Sequence, residues 1–239
     1  MKIALLISGG GTTMSAIIKA CKDNTLQNVT PVLVIASKRD AGGIKKALDL
    51  GMKVEDVFIL TPRDFQDSTA YGEAIIAECR KRNVDFIGQY GWLVKTPENV
   101  INVYKDMIVN QHPGPLDTGS PDFGGTGMYG MRVHQARLLF VRRTNREFWT
   151  EATTHRVTVN FDEGKIVKRK QVPIFQNDTA ETLQARVLPI EHEVQIEALR
   201  DFANGTVSEF TREIPLVMPA EESILEECKE LAIKLYPHG

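Results

Sequence analysis

Short apolar runs alternate along this chain with stretches whose apolar residues recur every three or four positions. That alternation predicts a parallel sheet covered by helices on both faces. The predicted strands are residues 2–7, 31–36, 54–59, 84–88 and 107–110. Helical periodicity over 14–22, 43–50 and 69–81 fills the gaps, with Ser68 and Thr69 as candidate caps of the third helix. The class is doubly wound α/β, in which ligands bind beyond the carboxyl ends of the strands. Residues 8–11, 89–95 and 110–113 all fall there.

The pattern changes at Pro113. Residues 113–130 are rich in glycine and proline and poor in aliphatic side chains, which predicts a long loop, mobile when empty. A helix-like stretch over 131–140 follows. Alternation over 153–160 and a second run at 166–174, separated by Asp162-Glu163-Gly164, predicts a β-hairpin, so the mostly parallel sheet ends in antiparallel strands. A long helix capped by Thr179 is expected to reach about Ala203, kinked or interrupted at Pro189. An amphipathic helix over 221–235 closes the chain. The expected division is a main domain of residues 1–205 and a C-terminal extension, 206–239, packing on it.

Composition narrows the possible functions. The 239 residues suffice for a sizeable core, and a hydrophobic share of 42% with 25% charged residues is ordinary for a globular protein. With 29 basic and 31 acidic residues, the net charge of −2 offers no footprint for nucleic acid or an anionic membrane. The expectation is a cytoplasmic protein with small-molecule partners, monomeric or homodimeric. Cys21, Cys79 and Cys228 lie far apart and form no disulfide framework or zinc motif.

Four features carry candidate chemistry. Ser8-Gly9-Gly10-Gly11-Thr12-Thr13 joins the first strand to the first helix, where close backbone amides and the helix N-terminus suit a phosphate. A tight turn without a ligand is the plainer reading, but such turns seldom need three glycines. A dinucleotide site is a rival, with Lys38-Arg39 placed to hold a 2′-phosphate, although Met14 stands where the fingerprint wants its third glycine. Asn110 and His112, two residues apart at a strand end, can hold an oxyanion and supply a proton, as acyl transfer to an amine requires. Either can equally be an ordinary strand-end residue.

Asp162 reads first as a turn residue. With an imidazole as partner it would raise that group's pKa and keep it protonated. Glu191 and His192 read by default as a solvated helical face. His134, His155 and His238 have no companion at metal-ligand spacing, so no metal is expected.

Taken in order, the segments Ile7-Ser8-Gly9-Gly10-Gly11-Thr12-Thr13, Val109-Asn110-Gln111-His112-Pro113, Val157-Thr158-Val159-Asn160-Phe161-Asp162 and Ala185-Arg186-Val187 to Glu191-His192 resemble the phosphoribosylglycinamide formyltransferases. The likeness runs from Met1 to about Leu199 and implies their Rossmann-like fold. The Asn, His and Asp set belongs to the wider superfamily dependent on 10-formyltetrahydrofolate; the phosphate loop and the 186–192 helix are the more specific part. The resemblance implies formyl transfer from 10-formyltetrahydrofolate, as co-substrate, to the amine of glycinamide ribonucleotide in purine biosynthesis, without a metal. It implies that Gly11, Thr12 and Thr13 hold the ribose phosphate and Glu191 the ribose. Asn110, His112 and Asp162 are catalytic by the same carry-over, and Trp92, Leu93, Val94, Lys95 and Asn110 meet the folate.

The chain also departs from the family. Gly114-Pro115-Leu116-Asp117 and an inserted glycine-rich stretch replace the usual turn after His-Pro, and Glu163-Gly164-Lys165 replaces two glycines and a proline after the aspartate. Residues 141–150, with Arg142, Arg143 and Arg146, are longer and more basic than in the family. The alternatives are formyl transfer to another amine, such as an amino sugar nucleotide, an NADP-binding oxidoreductase, and a non-catalytic folate or nucleotide sensor.

Overall fold

The computed structural model describes residues 1–239 and contains a seven-stranded sheet in the order β3-β2-β1-β4-β5-β6-β7. Its strands are β1 (Lys2–Ile7), β2 (Thr30–Ala36), β3 (Val57–Ile59), β4 (Phe86–Gln89), β5 (Ile108–His112), β6 (Trp149–Arg156) and β7 (Ile166–Pro173). The β1–β2, β1–β4, β2–β3 and β4–β5 pairs are parallel and β6–β7 is antiparallel. The helices are α1 (Thr12–Lys22), α2 (Gly43–Asp49), α3 (Ser68–Lys81), α4 (Glu98–Val103), α5 (Met131–Thr144), α6 (Ala180–Asn204) and α7 (Glu222–Leu235). This is the doubly wound class with an antiparallel end that the periodicity predicts. No helix is long and apolar enough to cross a membrane.

The chain divides into two compact units: residues 1–111, 156–159 and 195–207, and residues 112–155, 160–194 and 208–239. In the first, β1 is buried from Ile3 to Ile7, as a strand covered on both faces must be. Tyr71, Ile75, Ile76 and Cys79 of α3 pack with Leu33, Ile35, Ile87 and Ile108 from three strands. In the second, α5 and α7 enclose Phe123, Met128, Val133, Phe140, Leu216, Val217 and Leu225. On the other side of α5, Leu138 and Val141 pack with Val172, Leu183, Val187 and Val194.

Several details differ from the sequence-based expectations. Asp67 caps α3 by accepting the Ala70 N–H at 2.8 Å, so Ser68 and Thr69 lie inside the helix. Residues 54–56 form a single helical turn ahead of β3, and α4 was not predicted, being short and weakly periodic. β6 begins at Trp149 rather than Thr153 and ends at Arg156. Its Glu151 is fully buried, bonded to the guanidinium groups of Arg169 and Arg212, so a buried strand carries a polar-looking sequence.

α6 runs without interruption through Pro189. Pro189 and Ala185, the residue whose carbonyl loses its helical partner, are both exposed, so the lost bond falls on the solvent side of the helix. Thr179 caps this helix reciprocally with Thr182: Thr179 N–H donates to Thr182 Oγ1 at 2.9 Å, and Thr182 N–H donates to Thr179 Oγ1 at 3.3 Å.

Residues 113–130, expected to be mobile, are held closely. Leu116 and Phe123 are fully buried, and Asp122 accepts the Asp117 and Gly124 N–H groups at 2.7 and 2.8 Å. The basic segment is equally committed: Arg142 donates to the Asp178 carbonyl, Arg143 pairs with Glu227 and Arg146 with Glu221.

Candidate active site

In the first unit, the glycine loop leaves β1 and turns into α1 at Gly11, whose φ of +62° is accessible to glycine without strain. A Cβ at Gly11 would lie 2.8 Å from the Gly43 Cα, and one at Gly43 would lie 3.2 Å from the Gly9 carbonyl. The start of α2 therefore seats directly on the loop, with Gly43 N–H bonded to the Gly9 carbonyl at 3.0 Å. Lys46 Nζ donates to the Gly10 carbonyl at 2.8 Å. No side chain caps α1, so its first amides have no side-chain acceptor. Thr12 is exposed and Thr13 buried at this end.

The segment after β4 is bound to the same loop. Ser8 Oγ accepts the Leu93 N–H at 2.8 Å and shares a 2.6 Å hydrogen bond with Ser37 Oγ, while Ser8 N–H reaches the Gly91 carbonyl. Gln89 Nε2 donates to Thr96 Oγ1 at 2.6 Å and braces the segment from within. Trp92 is buried with no protein acceptor for its indole N–H, while Leu93 and Lys95 are exposed. Asn110 and His112 lie at alternate positions of β5, which directs their side chains to one face of the strand.

In the second unit, the structure brings together three ionisable side chains. Asp162 Oδ2 lies 3.6 Å from His112 Nδ1 and accepts the Gly125 N–H at 2.9 Å; Asp162 Oδ1 lies 3.2 Å from His155 Nε2. The other ring nitrogen of His112 lies 3.2 Å from the Phe123 carbonyl. Asp162 has φ +60°, a conformation Asp tolerates better than most residues, so it serves as a turn residue and a carboxylate at once.

Burial alone would lift the Asp162 carboxyl, but the His112 and His155 imidazoles and the Gly125 amide outweigh it and hold the acid well below the usual carboxylate range. For His112 the balance differs from expectation. Burial pulls its pKa below the ordinary value, against the opposing pull of Asp162, so the carboxylate moderates the shift without reversing it.

Sequence reasoning missed three nearby groups. His155, which has no motif spacing, reaches Asp162 from β6 at the register shift between Thr154 and His155. His134 on α5 is nearly inaccessible and is pulled down to about 4 by burial, helped by His112. Asp122 in the inserted loop is pushed up to about 6, chiefly by burial. Of the remaining predicted residues, Glu191 is buried on α6, and its neighbour His192 is half-buried and lowered by burial. No cluster of side chains suits a metal ion.

A buried His–Asp pair in one unit and, in the other, a glycine loop at the end of β1 agree with comparison to known proteins. Residues 1–199 match the formyl transferase family. A phosphoribosylglycinamide formyltransferase of Vigna unguiculata, described as chloroplastic, is 33% identical over 221 residues, covering 92% of this chain and 66% of its own length. The Escherichia coli (strain K12) enzyme of the same name is 28% identical over 205 residues, covering 86% of this chain and 88% of its own. Among solved structures, glycinamide ribonucleotide transformylase 1 of Symbiobacterium toebii superposes with a TM-score of 0.74 at 28% identity, over 86% of this chain and 88% of that one. Phosphoribosylglycinamide formyltransferase of Brucella melitensis gives 0.72 at 31% identity, over 87% and 98%. These likenesses favour formyl transfer over the dinucleotide-binding oxidoreductase. The chain belongs to the formyl transferase family.

Proposed function

We propose that this chain transfers a formyl group from 10-formyltetrahydrofolate to the amine of glycinamide ribonucleotide, a step of purine biosynthesis, with the cytosol as its working location. The observation that carries this reading is the buried pairing of His112 with an ionised Asp162, on a chain whose relatives bear that activity in their names. In this reading the amide donors of Gly11, Thr12 and Thr13 take the substrate's phosphate and Glu191 its ribose. Trp92 to Lys95 and Asn110 take the folate.

The amine attacks the formyl carbon, and Asn110 donates a hydrogen bond to the oxygen as it becomes negative. As the bond from that carbon to the folate nitrogen breaks, one proton must pass from the attacking nitrogen to the departing one. His112 carries it, oriented by Asp162. Burial lowers the imidazole pKa and favours the neutral ring, the form that can take the proton from the attacking nitrogen before passing it on.

The test is turnover of purified protein with 10-formyl donor and glycinamide ribonucleotide, followed by absorbance of the deformylated folate. His112→Ala and Asn110→Ala should each lower kcat by about 10²-fold or more while remaining folded. Undiminished rates in both would overturn the site assignment. Ligand binding by the wild type without product would make the protein a sensor instead.

A further inference from the structure

We infer that residues 208–239 work as a clamp that positions the His112–Asp162 pair, with Arg212 and Asp117 as its positioning residues. The inference rests on the formyl-transfer reading and adds to it a part of the chain beyond the residues, 1–199, that match the family.

Both members of the pair are held by the backbone of the inserted loop. The Phe123 carbonyl meets His112 Nε2, and the Gly125 N–H meets Asp162. Gly124 lies so close that a Cβ there would be 2.7 Å from the Asp162 Cβ. Thr118 Oγ1 also donates to the Gly164 carbonyl, two residues past Asp162, at 3.2 Å. A displacement of this loop therefore displaces the pair. Such a glycine-rich segment has much conformational entropy to lose and needs external ties to stay in one place.

Those ties come from the C-terminal segment. Arg212 Nε donates to the Leu116 carbonyl at 2.7 Å while its Nη2 bonds Glu151, so one guanidinium joins the loop to a fully buried carboxylate. Leu216 N–H donates to Asp117 Oδ2 at 3.0 Å. At the far end of the loop, Arg132 donates to the carbonyls of Gly127, Tyr236 and Pro237 at 2.9, 2.8 and 2.7 Å. Phe123 and Met128 are packed against Leu216, Val217 and Leu225 of the same segment. The basic run 142–146 anchors the clamp in turn, through Arg143–Glu227 and Arg146–Glu221, with Arg146 also on the Leu216 carbonyl.

The bridging role demands arginine. A lysine at 212 keeps the charge opposite Glu151, but a single ammonium cannot hold two acceptors in the fixed fork of a guanidinium. Arg212→Lys and Asp117→Ala, which removes the acceptor of the Leu216 N–H, are therefore the informative variants, with Arg212→Ala as the severe one. Each is measured for folding by thermal melt, for kcat and KM over pH, and for the ¹H–¹⁵N signals of the His112 ring. The charged and titratable groups acting on that ring are Asp162, His155, His134 and Lys229 of α7.

The expected result is a fall of about tenfold or more in kcat, with KM for both substrates within about threefold, since a small misplacement of a reacting group costs rate before binding. The pH midpoint of kcat and the His112 signals should move together. Folded Arg212→Lys and Asp117→Ala proteins with wild-type kcat, pH profile and ring signals would overturn the clamp, even if Arg212→Ala failed to fold. If the wild type forms no product, the formyl-transfer reading fails; unmoved ring signals in the variants would then still overturn the clamp, and shifted ones support it.

Discussion

At the residue scale, the two groups most open to test are Asp162 and His134. Asp162 is ionised over the working pH range, and its charge raises the proton affinity of His112 against the effect of burial. Asp162→Asn removes that pull, so His112 should titrate at lower pH and the acid limb of the rate profile should move the same way. The rate itself should fall by about 10²-fold, as for other orienting carboxylates. An unchanged profile would leave Asp162 as a turn residue alone. His134 is a buried base pulled down to about 4 from an unfolded value near 6.5, so the unfolded state binds the proton first. The stability it withholds is lost as pH falls through that window. Between pH 7 and pH 5 this amounts to about 2 kcal/mol, and His134→Gln should reduce the acid sensitivity of urea unfolding by that amount. Equal losses in wild type and variant would show that His134 is not buried neutral.

At the element scale, α6 makes a prediction that its sequence obscures. Proline in a helix interior removes one hydrogen bond and predicts a break, yet α6 continues through Pro189, at a turn where Pro189 and Ala185 are both exposed. Pro189→Ala should restore that bond and stabilise the chain by about 1–2 kcal/mol in urea unfolding, net of the entropy that proline removes from the unfolded state. Destabilisation would mean that the packing of α6 requires the shape proline imposes.

The same helix illustrates what was legible in the sequence. Where burial and local periodicity agree, as in β1, β2, α1 and α3, the elements could be read almost to the residue. β6 could not, because Thr150, Glu151, Thr153 and Thr154 are all buried polar residues, and partners remote in sequence, Arg169 and Arg212 for Glu151, make their burial possible. The His112–Asp162 pairing was legible through order along the chain and a family likeness. His155 was not, since it has no motif spacing and meets Asp162 only through the tertiary fold.

At the scale of the whole molecule, the C-terminal segment decides whether residues 112–155 and 160–194 can hold together at all. Leu216, Val217 and Leu225 are at most 3% exposed and supply a large part of the core around Phe123 and Phe140. At about 1.5–3 kcal/mol for each large aliphatic side chain buried, these three contribute roughly 5–9 kcal/mol. That is comparable to the ~5–15 kcal/mol that stabilises a whole domain. Removal also leaves Glu151 without Arg212, and the Tyr236 and Pro237 carbonyls no longer anchor Arg132. A chain ending at Val207 should therefore lack a cooperative thermal transition over the second unit, bind a dye specific for exposed apolar surface, and associate in gel filtration. A single transition within a few degrees of the full-length chain would mean that the segment is an accessory to the core. The loss of activity on truncation is uninformative about positioning for the same reason, and only point changes at Arg212 and Asp117, which leave the apolar contacts in place, separate the clamp from the core.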